Sequence, residues 1–192
     1  MGNSETTRDA LLDAALHAAS LSGIAQLTLG PVAAAAGRSK GGLLRHFPSK
    51  ESLQIAVLER AFTRYQQYVL EPAMKASGGL PRLRAIMENW LVWTERAGLP
   101  GGCPILSAHQ EFDDQAGEVR EHLHSAWSRW HTYLLRQASR AEEAGQLPRG
   151  VTPQAVVSLM IGLNCAAQLE RRLLGLADGQ AQAMVLFDRL TQ

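Results

Sequence analysis

Apolar residues recur along this chain at intervals of three and four, the period of a helix buried on one face. Leu12, Ala15, Leu16 and Ala19 mark one face of a first helix, and Gly23 is a natural stop. Thr28 can cap a second helix running through Val32 to Ala36, with Pro31 in its first turn, where a missing N–H costs least. Gly37 can end that helix in a left-handed conformation. Ser39 then caps a short third helix, Lys40 to His46 or Phe47. Pro48 blocks continuation, and Ser49 caps a fourth helix from Lys50 into the 60s.

The pattern breaks at "KASGGLP" and resumes with Leu83, Ile86, Met87, Trp90 and Leu91. It breaks again at "AGLPGGCP", and a helix starts near Cys103 or Pro104. A long helix covers Glu118 to about Ala144, an unusually apolar one Gln154 to Leu174, and a last one Gln180 to Leu190. Period-two β-branched runs do not occur. The expectation is an all-α chain of about nine helices.

Composition narrows this further. The 192 residues are 46% hydrophobic, which suits one compact domain or two small ones and argues against a disordered chain. No apolar run approaches the ~20 residues that span a bilayer. The start, MGNSETTRDA, has no signal-peptide pattern, and two cysteines make no disulfide framework. A cytoplasmic setting is expected.

Charge changes the picture more. The net charge is only +1, but residues 1–50 carry five basic residues (Arg8, Arg38, Lys40, Arg45, Lys50) against three acids, and the remainder balances at −1. The excess concentrates between 38 and 50, where a polyanion would feel it. There, a helix, a tight turn at Gly37 and a second short helix make a helix-turn-helix unit. Backbone N–H groups at Ser39, Lys40 and Gly41 form a phosphate-ready N-terminus. Gly41 and Gly42 each cost roughly 1 kcal/mol against alanine in a helix, yet allow backbone to approach DNA closely. Lys40 and Arg45 lie about 140° apart and flank one face, while Leu43 and Phe47 anchor the opposite one.

The stretch "LTLGPVAAAAGRSKGGLLRHFPSKESLQIAVLE" resembles the DNA-binding domain of the TetR family of bacterial transcriptional regulators. The match runs through Thr28, Ala33 to Ala36, Gly37, Ser39, Lys40, Gly41, His46, Phe47, Ser49, Lys50 and Glu51, and covers roughly residues 8 to 58. The resemblance implies a three-helix DNA-binding domain over residues 1–50 and a helical ligand-binding and dimerisation domain over 51–192. It implies that Thr28, Ser39 and Lys50 hold DNA phosphates and that Lys40, Gly41, Gly42, Arg45 and His46 face the major groove.

Two departures touch this set. Leu44 replaces the family's usual Tyr, so either one backbone contact is lost or Leu44 meets a thymine methyl. Arg38 stands where a small apolar residue is usual and is expected to restore a phosphate contact. One short helix reads only a few base pairs, so the expected partner is double-stranded DNA, a palindromic operator bound by a homodimer.

For the remaining chain the resemblance implies a small-molecule effector. Trp90 and Trp93, and Trp127 and Trp130, form two pairs three residues apart. They either line an apolar cavity or fill core and interface. Asn164 and Gln168 lie one turn apart on the apolar helix, and contact either a ligand or a neighbouring loop. Cys103, His109 and His131 complete the candidate ligand contacts. "PGGCPILSAHQEFDDQAGEVREHL" resembles a stretch of one TetR subgroup, with Asp114 or Gln115 placed to cap the next helix.

No metal signature, nucleophile elbow or phosphate loop on a strand is present, so no cofactor, no metal and no catalytic residue is expected. The reading is a ligand-released repressor. Its rivals are a DNA-binding regulator switched by oxidation at Cys103 and Cys165 and, more remotely, an enzyme acting on a small molecule.

Overall fold

The computed structural model describes residues 2–37 and 39–191, with side chains for residues 7–37, 39 and 41–191. Its elements are α1 (Gly2–Ser22), α2 (Leu29–Ala35), α3 (Lys40–Leu44), α4 (Lys50–Tyr65), α5 (Glu71–Ala73), α6 (Leu80–Arg96), α7 (Pro104–Phe112), α8 (Glu118–Glu143), α9 (Pro153–Leu173) and α10 (Gly179–Thr191). A π-helical turn, Gln66–Leu70, joins α4 to α5 without a break, so the described residues form nine separate rods and no strand. None of these helices is long and apolar enough to cross a membrane.

The chain divides into two compact units, residues 1–64 with 98–125 and residues 65–97 with 126–192. In the first, the α1 face read from periodicity is buried: Leu12, Ala15, Leu16 and Ala19 are all at most 4% exposed. α1 packs against α2 and α7, and α2 against α3. Burying one such leucine stabilises by about 1.5–3 kcal/mol, so this shared core organises the short helices that could not stand alone. Arg60 of α4 binds Asp13 of α1 through two bonds of 2.8 Å, and Arg64 adds a third at 3.4 Å. The Arg60 hydrogen bonds hold the Asp13 carboxyl below its ordinary range. Both α4 entry bonds are made: the Ser49 hydroxyl accepts from the Ser52 N–H and the Ser52 hydroxyl from the Ser49 N–H, each at 3.0 Å.

In the second unit α6 packs against α9 and α10. Leu83, Ile86, Met87, Val156, Val157, Met160 and Phe187 are fully buried there. α6 starts at Gly79, whose φ of 88° and lack of a side chain leave its first N–H groups to others. Gln137 and Gln146 supply the acceptors, taking the Gly79 N–H at 3.2 Å and the Leu80 N–H at 2.9 Å. Arg84 of α6 grips Asp188 of α10 at 2.8 and 3.0 Å.

Three local expectations shift. Thr28 occupies the α2 N-cap with extended backbone, but its hydroxyl makes no capping bond. α3 ends at Leu44 rather than His46 or Phe47, because the His46 and Phe47 N–H groups both turn back to the Leu43 carbonyl. α8 begins at Glu118, past Asp114 and Gln115. The Asp113 carboxylate instead accepts from the Asp114 N–H, and the Gln115 amide donates to the Glu111 carbonyl.

Candidate nucleic-acid interface and aromatic cluster

α2 and α3 meet at a turn whose geometry demands glycine: Gly37 has φ 64°. Ser39 then caps α3, its hydroxyl accepting the Gly42 N–H at 3.1 Å. Leu43 and Phe47 are 0% and 1% exposed, so α3 is pinned along one face. The Arg8 guanidinium lies 5.3 Å from the centre of the Phe47 ring and holds it from the α1 side.

The opposite face is open. Thr28, Ser39, Gly41, Leu44, Arg45 and Lys50 are exposed, and Gly42 and His46 half-buried. Leu44 is 40% exposed, a large apolar side chain open to solvent on this face. Among the described residues, the space beside Gly41 is empty to 4 Å. Lys40 opens α3 by its backbone; its side chain, and Arg38 altogether, lie outside the described residues. Glu51 sits in the first turn of α4, where its own backbone N–H and the Ser49 hydroxyl hold its carboxyl below the ordinary range.

The tryptophans do converge, around a residue that spacing alone did not single out. Tyr65, at the end of α4, meets Trp90, Trp93 and Trp130 edge-to-face at 5.8, 5.6 and 5.2 Å between ring centres. Trp90 lies 6.2 Å from Trp127, and Tyr133 stacks on Trp130 at 5.7 Å. Such pairs each contribute about 0.5–1.5 kcal/mol beyond burial. Among the described residues the buried indole N–H groups of Trp93 and Trp130 in this cluster have no hydrogen-bond partner.

His131 and Gln168 are half-buried in the same unit. Asn164 is buried, and its amide donates to the Met160 carbonyl at 3.0 Å and to the Met87 sulfur at 3.2 Å, on its own helix and on α6 rather than on a loop. Cys103 and His109 belong to the other unit, on α7. The buried Cys103 caps α7, its sulfur accepting the Leu106 N–H at 3.5 Å. Burial pushes the His109 imidazole down to about 4. Cys165 is an exposed thiol on α9. Among the described residues no three His, Cys, Asp or Glu side chains converge as a metal site.

No curated protein matches the chain. Among solved structures, a TetR transcriptional regulator from Chloroflexus aurantiacus is similar at TM-score 0.86 and 25% identity, over 98% of this chain and 96% of its own. A TetR-family regulator from Agrobacterium tumefaciens reaches 0.84 at 20% identity, over 99% and 100%. AibR, solved in complex with isovaleryl coenzyme A and operator DNA, reaches 0.76 at 22% identity, over 96% and 98%. Residues 11–57 match the model of bacterial regulatory proteins of the tetR family, and residues 79–187 match that of the tetracyclin repressor-like C-terminal domain. With its helix-turn-helix and its helical C-terminal domain both accounted for, the chain belongs to the TetR family of transcriptional regulators.

Proposed function

We propose that this regulator is a dimeric repressor that binds a palindromic operator and is released by a small apolar or aromatic effector. The observation that carries the DNA half is the two-sidedness of α3. Leu43 and Phe47 fasten it to the core, and Gly41, Leu44 and Arg45 stand free. Exposed glycine at 41 and exposed leucine at 44 both suit a close approach to base edges and thymine methyls. Ser39, Thr28 and Lys50 flank this face and are the phosphate contacts.

The second copy docks on α9 and α10. Leu169, Leu173, Leu186 and Leu190 are 56, 73, 45 and 51% exposed on these helices, an apolar surface of the kind that marks an interface. The effector enters the aromatic cluster, where two unpaired indole N–H groups await an acceptor. AibR, of the same architecture, holds an acyl-coenzyme A and operator DNA together, which supports a chain of this build taking both.

Selection of bound fragments from random duplex DNA tests the reading, with Arg45→Ala beside the wild type. One palindromic motif, recovered by the wild type and lost in the variant, is expected. A folded dimer that enriches no motif refutes it.

A further inference from the structure

The segment around "PGGCPILSAHQEF" lies outside α2, α3 and the aromatic cluster, yet it makes close contacts within the first unit. Gly101 packs so closely on the end of α1 that a Cβ there would stand 1.7 Å from the Ser20 carbonyl oxygen. The Gly102 N–H donates to that oxygen at 2.8 Å, and the Gly101 N–H to the Ser20 hydroxyl at 3.2 Å. One helix later, the Glu111 carboxylate accepts the Ala25 N–H at 2.7 Å. It lies against Gly23, where a Cβ would meet its oxygen at 1.8 Å. From the other side, the buried Gln54 of α4 donates to the Ile24 and Ala25 carbonyls at 3.0 and 3.4 Å.

The corner between α1 and α2 is therefore held by groups from outside the helix-turn-helix. A cleft of about 180 Å³ borders it, lined by Ala25, Gln54, Phe112 and Val119 among others. Backbone hydrogen bonds from Glu111 and Gln54 add to the buried Ile24 and Leu27 side chains in setting its position.

We propose that the segment from Gly101 to Phe112 is a latch on the DNA-reading head, with Glu111 as its positioning residue. The Glu111–Ala25 bond fixes the corner from which α2, and through Gly37 α3, take their direction. It rests on the reading of α2 and α3 as the DNA-binding pair. Glu111 touches no DNA; it acts by holding the Ala25 backbone.

The test compares wild type, Glu111→Ala, Glu111→Gln and Ser20→Ala in the full-length protein, using the duplex recovered by selection. Gln keeps an acceptor oxygen at the same reach and Ala removes it. Glu111→Ala is expected to bind about tenfold more weakly, the weight of one hydrogen bond to a charged acceptor, with an unchanged slope against salt because no phosphate contact is lost. Glu111→Gln restores most of the affinity. Exchange of the Ala25 amide with solvent deuterium speeds up in Glu111→Ala, while amides in the middle of α1 and α4 keep wild-type protection. Ser20→Ala, which loosens the other arm of the latch, weakens binding in the same direction and serves if Glu111→Ala fails to fold. Equal affinity in wild type, Glu111→Ala and Ser20→Ala overturns the latch and leaves the DNA reading standing. So does unchanged exchange at Ala25. Failure of the wild type to bind any duplex takes down both.

Discussion

Acidification offers a quantitative check on the burial of α7. His109 is half-buried, and its imidazole is pushed from an ordinary 6.5 down to about 4. In the unfolded chain it takes a proton as pH falls through about 6.5, whereas in the fold it stays neutral until about 4. Its contribution is thus fully present above pH 6.5 and is lost as pH falls towards about 4. At 1.36 kcal/mol per decade the ceiling is about 3.4 kcal/mol, and partial solvent contact reduces this to about 2 kcal/mol. Asp13 does not interfere, because its carboxyl is held below 3.8 and titrates beneath this window. Urea unfolding of wild type and His109→Gln, followed by helix circular dichroism between about pH 7.5 and pH 4.5, measures the difference. The wild type should lose about 2 kcal/mol more than the variant over that range. Parallel stability curves would show that solvent reaches the imidazole and that the burial argument is wrong.

Other changes follow from single contacts. Gly101→Ala drives a methyl into the Ser20 backbone and should cost about 3 kcal/mol or more, read as a large drop in melting temperature. Asp13→Asn removes the carboxylate that ties α1 to Arg60 and Arg64; being partly exposed, the pair is worth about 1 kcal/mol or less, and the loss should shrink in high salt. Leu173→Glu combined with Leu190→Glu places charges on exposed apolar positions of α9 and α10, and should give a monomer of unchanged helicity by analytical ultracentrifugation.

Much of this architecture was legible because helical signals are local. Glycine stops, serine caps and the three-to-four period lie within one turn of the residues they govern. Hence the α3 start at Lys40, the α7 start at Pro104 and the α9 span, Pro153–Leu173, all fall within a residue or so of the reading. Pro48 marks a stop, but the exact end of α3 was not legible, since the His46 and Phe47 N–H groups both close on the Leu43 carbonyl just before it. The site divides in the same way. The α3 face follows from spacing, because Leu43 and Phe47 are four apart on one helix. The placement of Tyr65 among the tryptophans does not, since it depends on how separate helices meet. The role of Glu111 was not legible, because its partner is a backbone N–H 86 positions away. A backbone amide leaves no mark in a sequence. The one hint was Gly23, whose missing side chain makes room for the carboxylate.

The economy with which α3 is fastened has a consequence for how such regulators diversify. Leu43 and Phe47 carry its attachment, while Gly41, Leu44 and Arg45 contribute exposed surface and little packing. Substitutions at those three positions are therefore nearly neutral for stability. A duplicated gene can drift through many combinations of them without losing a foldable product. The exposed face can therefore change one position at a time, each intermediate still a working fold.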